Sequence, residues 1–237
     1  MILKLESEDM EKQESKASNN FITRSITALV AIPLVIGNVY LGGIVYKGMI
    51  LIIAILMAFE WHEVTFNRDA TPMNGLKWKL IGLIYIFMPC LSLIWLRDHT
   101  KGFEIILWLL ANVWATDIAA YLVGMTIGGW KLCPSISPNK TWSGFIAGVL
   151  AATLVGYITA KLVHSNKPHM LMLMSIVLSI YGQIGDLIES WIKRKFDVKD
   201  SGKMIPGHGG ILDRVDSLVP VAPKVVAILL LDSGGIF

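Results

Sequence analysis

The polar stretch from residue 193 to residue 217 combines the groups that phosphate chemistry requires. Gly209 and Gly210 let the backbone approach a ligand closely. Asp213 and Asp216 are three residues apart, so they share a helical face and can bind a hard cation through oxygen. Lysine and arginine side chains bind polyanionic phosphates, and the stretch contains Lys193, Arg194, Lys195, Lys199, Lys203 and Arg214. The stretch therefore predicts a site for phosphate groups and a cation.

Two further aspartates lie within or at the end of apolar segments. A carboxylate at the bilayer centre costs about 2.5 to 3.5 kcal/mol on insertion scales, so it normally faces a partner or a wet cavity. Asp117 lies well inside its apolar segment, whereas Asp186 is near the end of the segment that precedes the polar stretch. Asp186, Ser190 and Lys193 follow helical spacing and share a face. We expect Asp186 to complete the cation site, although a polar helix end at the headgroups is the alternative.

A second polar segment, residues 131–144, leads directly into another apolar segment. Ser137, Lys140, Thr141 and Ser143 would stand beside the first turn of that helix. Free N–H groups and the positive end of the helix dipole make such a turn suitable for phosphate. Serine and threonine before a helix are also ordinary capping residues. The sequence leaves both interpretations open.

The segments that must position these residues have the composition of membrane helices. Hydrophobic residues make up 54% of the 237 residues and charged residues 16%, with a mean hydropathy of +0.60. An average soluble domain has roughly 25% charged residues, and a membrane helix needs about 20 apolar residues. Candidate spans cover residues 25–45, 49–65, 79–96, 103–127, 144–163, 169–192 and 212–231. Each must be helical, because lipid offers no partner for free backbone groups.

These segments predict an all-α fold, a polytopic transmembrane helical bundle with about seven spans. We expect residues 1–24 to form a polar tail and residues 25–237 to form a single membrane-embedded catalytic domain. With seven spans, fifteen Lys and Arg residues fall on the side of the N-terminus and five on the other. Basic residues stay preferentially in the cytosol, so the N-terminus and both polar segments are predicted to be cytosolic. The two segments could then share one site.

Several function classes lose support. The formal charge of +3 and the absence of a basic run with interleaved aromatic residues give no sign of a nucleic-acid partner. The chain contains no phosphate-binding Gly-x-x-x-x-Gly-Lys-[Ser/Thr] loop, no Gly-x-Ser-x-Gly elbow and no His-Glu-x-x-His pair. Acyl transfer and zinc hydrolysis are therefore disfavoured.

The spacing of the polar stretch resembles that of the CDP-diacylglycerol synthases, also called phosphatidate cytidylyltransferases. The matching positions are Ser190, Lys193, Arg194, Lys199, Asp200, Pro206, Gly207, His208, Gly209, Gly210, Asp213, Arg214 and Asp216. The resemblance extends to residues 137–144, 117–121 and 24–28, and so covers most of the chain. One departure is Ser143, where the family usually has an acidic residue.

The resemblance implies transfer of the cytidylyl group of CTP to the phosphate of phosphatidic acid, giving CDP-diacylglycerol and pyrophosphate for phospholipid biosynthesis. It implies Mg²⁺ as cofactor and leaves a second cation open. The metal ligands expected from it are Asp186, Asp213 and Asp216. The expected catalytic residues are Asp186, Lys193, Lys199, Asp200, His208, Asp213, Arg214 and Asp216. The expected substrate-binding residues are Ser137, Lys140, Thr141, Ser190, Arg194, Gly209, Gly210 and Asp117.

The expected partners are CTP, phosphatidic acid and membrane lipid, in a bacterial inner membrane with the site facing the cytosol. Homodimer formation is left open. One alternative is a CTP-dependent polyprenol or phytol kinase, which would need a general base such as His208 or Asp200. Another is an ion or solute transporter, which Asp117 and Asp186 suggest, but paired broken helices are absent from the sequence pattern.

Overall fold

The structure is a computed structural model that describes residues 27, 29–65, 72–202, 204, 209–232 and 236–237. The predicted tail of residues 1–24 and His208 lie outside these ranges. The first four helices are α1 (Leu29–Leu41), α2 (Gly43–Thr65), α3 (Pro72–Asp98) and α4 (Gly102–Thr126). Strands β1 (Lys131–Cys133) and β2 (Ser137–Thr141) follow, and then helices α5 (Trp142–Leu162), α6 (Pro168–Lys195), α7 (Leu212–Val215) and α8 (Leu218–Leu231).

The long helices confirm the all-α polytopic fold class. Five helices, α2 to α6, are long and apolar enough to cross a membrane, and α1 and α8 are shorter apolar helices. At 1.5 Å per residue, the 14 residues of α8 extend about 21 Å, less than a hydrocarbon core of about 30 Å. The number of spans and the side of the N-terminus stay predictions.

Two predicted spans have different bounds in the structure. The first ends at Leu41 rather than residue 45, because Gly42 and Gly43 adopt φ of +63° and +51° and turn the chain into α2. The last begins at Leu218 rather than residue 212. Pro220 has no N–H to donate to the Asp216 carbonyl, so the helical hydrogen-bond ladder is interrupted between α7 and α8.

The segment predicted as a loop between α4 and α5 contains a short antiparallel hairpin. Lys131 pairs with Thr141, and Cys133 pairs with Ser137. The turn is closed by the Ile136 N–H, which donates to the Cys133 carbonyl at 3.2 Å. Pro134 occupies the second position of this turn, where its fixed φ is favoured. The hairpin holds Lys140 on β2, immediately before α5.

Small residues allow α4, α5 and α6 to pack closely. The buried face of α5 repeats every four residues as Gly144, Gly148, Ala152, Gly156 and Ala160. Such small-residue faces let membrane helices approach and bring polar side chains into contact. Across this packing, the indole N–H of Trp108 on α4 donates to Ser175 Oγ on α6 at 3.0 Å.

Candidate active site

The hairpin and helix α6 meet through an ion pair between Lys140 and Asp186. Asp186 also accepts a hydrogen bond from Ser190 Oγ at 3.4 Å, one turn further along α6. The two side chains of the ion pair are 25% and 33% exposed, so they line an accessible surface. The structure thus brings together the two segments that the sequence predicts to share a site.

Lys193 joins α6 to α7. Its ammonium Nζ lies 2.6 Å from Asp213 Oδ1 and 3.2 Å from Glu189 Oε1. The Lys193 side chain is only 14% exposed, so this charge is largely withdrawn from solvent. In the structure, Lys193 therefore pairs with two carboxylates, and its predicted role in binding phosphate stays a prediction.

Asp213 organises the loop that leads into α7. Its Oδ2 accepts backbone N–H groups from Ser201 at 3.1 Å and from Gly210 at 3.0 Å. Although burial opposes ionisation, Lys193 and these N–H groups hold the pKa of Asp213 below its ordinary value. Gly209 has a φ of +82°, a conformation that glycine adopts without strain. Asp213 is thus a charged anchor for the loop.

Glu60, on α2, is a second anchor of this loop that the sequence analysis missed. It is fully buried, and its carboxylate accepts the backbone N–H of Ile211 at 2.8 Å and of Leu212 at 2.9 Å. It also accepts the hydroxyl of buried Ser201 at 3.0 Å. A Cβ on Gly202 would lie 2.6 Å from Glu60 Oε1, so that glycine leaves room for the carboxylate. In the sequence, Glu60 could have been recognised as a charged residue near the end of an apolar segment.

Four carboxylates form what we call the acidic cluster: Asp117, Asp186, Glu189 and Asp216. Asp216 interacts electrostatically with each of the other three. Glu189, which the sequence analysis missed, is only 4% exposed and follows Asp186 on the same helix. Burial, together with the negative charge of Asp186, raises the pKa of Asp216 to about 6. The cluster brings acidic side chains of α4 and α6 close to Asp216, the residue that follows α7.

Two of the hydroxyl groups near the start of α5, those of Thr141 and Ser143, form hydrogen bonds within the protein. Thr141 is the N-cap of α5, where its Oγ1 accepts the Gly144 N–H at 3.2 Å. Ser143 Oγ donates to the Gly128 carbonyl. Ser137, at the start of β2, is half-buried. The capping interpretation holds for Thr141, and the phosphate-binding roles of Ser137 and Thr141 stay predictions.

The remaining basic residues lie at the outer edge of the site. Arg194 is exposed and contacts the hairpin, with Nε 3.5 Å from the Ile136 carbonyl oxygen. Lys199 and Asp200 are exposed on the turn that follows α6. Arg214 is exposed on α7 and interacts electrostatically with Asp117. Of these residues, Arg214 interacts with the acidic cluster, and the catalytic or binding roles of all four stay predictions.

An apolar cavity of about 640 Å³ begins at the acidic cluster. Asp117, Asp213, Arg214 and Asp216 line one end of it. The rest of its wall comes mainly from apolar side chains of α1, α2, α3, α4 and α8, together with Thr27, Ile211 and Val215. The site therefore joins charged groups to an apolar space between membrane helices, an arrangement suited to a ligand with a charged head and an apolar body.

Comparison with known proteins decides the family. Residues 69–231 match the cytidylyltransferase family. This chain belongs to the cytidylyltransferase family. A relative named phosphatidate cytidylyltransferase from Brucella suis is 37% identical over 86% of this chain and 91% of its own length. Relatives of the same name from Rickettsia bellii and Staphylococcus epidermidis are 38% and 39% identical, over 94% and 78% of this chain and 96% and 69% of their own.

The acidic cluster of this cytidylyltransferase has the donor chemistry of a hard cation, which prefers carboxylate oxygens. Across the part of the chain that the structure describes, no three His, Cys, Asp or Glu side chains are already arranged as metal ligands. Asp186 and Asp216 nevertheless repel one another, and a bound cation would relieve that repulsion. All three predicted ligands already have partners: Lys193 and two backbone N–H groups contact Asp213, Lys140 contacts Asp186, and the Ser217 N–H donates to Asp216. The oxygen chemistry of the cluster suits a hard cation, and the metal roles of Asp186, Asp213 and Asp216 stay predictions.

Proposed function

We propose that this cytidylyltransferase transfers the cytidylyl group of CTP to the phosphate of phosphatidic acid, releasing CDP-diacylglycerol and pyrophosphate. The observation that carries the proposal is the junction of the acidic cluster and Arg214 with the apolar cavity. A site that binds both a water-soluble nucleotide and a lipid needs charged groups beside an apolar space. The names of the relatives from Brucella suis and Rickettsia bellii support the same substrates.

In this reaction a phosphate oxygen of the lipid attacks the α-phosphorus of CTP, and the bond from that phosphorus to the bridging oxygen of pyrophosphate breaks. The lipid supplies the nucleophile, so no protein nucleophile is required. The protein's contribution is alignment and neutralisation of negative charge. Arg194, Lys199 and Arg214, at the exposed edge, would bind the CTP and lipid phosphates. Lys140 and Lys193 would hold the carboxylates of α6 and α7 in place.

Mg²⁺ fits the proposal as a cofactor held by Asp186 and Asp216, with room for substrate oxygens as further ligands. When bound, it would neutralise charge on the phosphates during transfer. The ion pair between Lys193 on α6 and Asp213 on α7 would keep α7, and therefore Asp216, at a fixed distance from α6. Asp213 would then act through the loop and Lys193.

We further propose that the site faces the cytosol of a bacterial inner membrane, where CTP is available. The predicted excess of Lys and Arg on that side supports this orientation. A cysteine introduced at exposed Asp200 and probed with an impermeant maleimide in spheroplasts and in inverted vesicles tests it. Labelling only in inverted vesicles is expected, and labelling only in spheroplasts would contradict the orientation.

The activity is tested with detergent-purified full-length protein, labelled CTP and phosphatidate, with and without Mg²⁺. We expect Mg²⁺-dependent formation of CDP-lipid and pyrophosphate. Release of CDP with phosphorylation of a lipid alcohol would instead support the lipid-kinase alternative, and turnover without a membrane gradient argues against transport. Asp216→Asn should remove activity, whereas Asp98→Asn, which alters an ion pair with Lys47 on α2, should retain it.

A further inference from the structure

The end of α6 carries aromatic side chains grouped around one lysine. The Lys195 ammonium lies 5.7 Å from the ring centroid of Trp78 on α3 and 5.7 Å from that of Trp191 on α6. The two indole rings are 6.4 Å apart, and the Phe196 ring packs on Trp78 at 4.9 Å. On α2, the Trp61 indole N–H donates to the Trp78 carbonyl at 3.0 Å. Contacts among three helices therefore fix the rings that flank the ammonium.

Positive charge collects at this end of α3 and α6. Among the described residues, the exposed charged side chains there are all basic: Lys77, Lys79, Arg194 and Lys195. Two exposed carboxylates lie on adjoining segments, Glu63 near the end of α2 and Asp197 on the turn after α6. Four positive charges against two negative ones leave an excess of two. We call the three lysines of this surface, Lys77, Lys79 and Lys195, the basic patch.

An exposed apolar stripe leads along α6 to the basic patch. Its members, Ile184, Ile188 and Trp191, are exposed and precede Lys195 by eleven, seven and four residues. These spacings put all four side chains on one face of the helix. Helix α6 is long and apolar enough to cross a membrane, and Lys195 is its last residue. The stripe therefore lies at the depth of lipid chains, and the lysine lies at the level of the headgroups.

This face of α6 is separate from the candidate active site. Lys193, two residues before Lys195, contacts Asp213. Two residues turn an α-helix by about 200°, so the two lysines point to nearly opposite sides of α6. Lys195 consequently points away from the acidic cluster.

We propose that the basic patch and the apolar stripe together bind an anionic phospholipid of the surrounding membrane, at a site outside the active site. Its phosphate contacts Lys195, Lys77 and Lys79 add attraction, and one acyl chain lies along the stripe. Lysines beside the end of a membrane helix attract anionic headgroups, and the stripe below them requires an apolar partner. A free phosphate would contact only the lysines, and a zwitterionic lipid would leave their charge unbalanced.

The first test measures lipid affinity by native mass spectrometry of the full-length protein in detergent. The probes are dioleoyl phosphatidylglycerol, which is anionic, and dioleoyl phosphatidylcholine, which is zwitterionic. Lys195→Gln should weaken phosphatidylglycerol binding about fivefold, the change that corresponds to about 1 kcal/mol per lysine. Lys195→Arg keeps the charge and should restore the affinity. Phosphatidylcholine binding should not change in either variant.

The matched control is Lys161→Gln. Lys161 is also exposed near a helix end with its ammonium 5.7 Å from an aromatic centroid, that of Tyr157, but it lies on α5. This variant should bind phosphatidylglycerol like the unaltered protein. Equal affinities of Lys195→Gln and Lys161→Gln would overturn the proposal.

The second test locates the lipid with the unaltered protein in phosphatidylcholine nanodiscs. Small amounts of brominated phosphatidylglycerol should quench tryptophan fluorescence more than the same amounts of brominated phosphatidylcholine. Trp191→Phe should remove this excess quenching, whereas Trp130→Phe, at another exposed tryptophan, should retain it. Excess quenching that persists in Trp191→Phe would place the lipid elsewhere and refute the site. Equal quenching of Trp191 by both lipids would refute the preference for anionic headgroups, and no quenching of Trp191 by either would show that another protein copy covers the stripe.

Discussion

Replacing Glu60 with glutamine tests whether a residue of α2 holds the active-site loop in position. Glu60 accepts three hydrogen bonds, from the backbone of Ile211 and Leu212 and from Ser201 Oγ. Glutamine has one acceptor oxygen, and its NH₂ group would face a backbone N–H in either orientation. At least one buried donor would lose its acceptor, which costs about 1 to 3 kcal/mol. Glu60→Gln should therefore lower the free energy of unfolding by about 2 kcal/mol.

The same change should reduce activity beyond its effect on folding. Ile211 and Leu212 begin α7, which carries Asp213, and Asp216 follows it directly. A displaced α7 would move Asp216 away from the end of α6, so kcat should fall at least tenfold at temperatures where the variant is fully folded.

The assays are thermal unfolding of the full-length protein in detergent and CDP-lipid formation at saturating substrates. Glu63→Gln is the matched control, because Glu63 is exposed on the same helix, three residues further on. If Glu60→Gln matches Glu63→Gln in both melting temperature and kcat, the anchoring role is refuted.

Three other changes test separate parts of the site. Asp213→Asn and Lys193→Met should each lower kcat at least tenfold. The double variant should be little worse than either single variant, because the two side chains form one ion pair. Additive losses in kcat would instead indicate that Asp213 acts independently of Lys193, as a metal ligand would. Gly210→Ala should destabilise the protein by about 1 to 3 kcal/mol, because the new methyl group would overlap buried neighbours. Gly48→Ala is the control and should not destabilise it, because no atom lies within 4 Å of the added Cβ. Equal melting temperatures of the two variants would contradict this packing. The pKa of Asp216 is raised from 3.8 to about 6, so its ionisation costs stability as pH rises through that range. A cation binds the ionised carboxylate, so Mg²⁺ should raise the melting temperature more at pH 7.5 than at pH 5. An equal shift in melting temperature at both pH values would argue against a cation at Asp216.

The sequence by itself determined the features that depend on local composition. Runs of apolar residues give membrane helices because the backbone must satisfy its own hydrogen bonds in lipid. The spacing of Lys193, Asp213 and Asp216 indicated phosphate chemistry without any knowledge of the fold. Local signals also located most breaks, although the turn at Gly42 and the interruption before Pro220 were placed a few residues away from where the structure has them.

Only the tertiary structure decided which charges meet. Glu60 contacts residues 141 to 152 positions further along the chain, and no periodic pattern encodes such a pairing. The same holds for Lys140 with Asp186 and for the burial of Glu189, because both follow from the way the helices pack side by side. Packing also placed Asp213 against Lys193, a pairing that the sequence did not predict, and the metal role of Asp213 stays a prediction. Hydropathy specifies that a segment is a helix, but the faces that touch are selected by side-chain fit across the whole bundle.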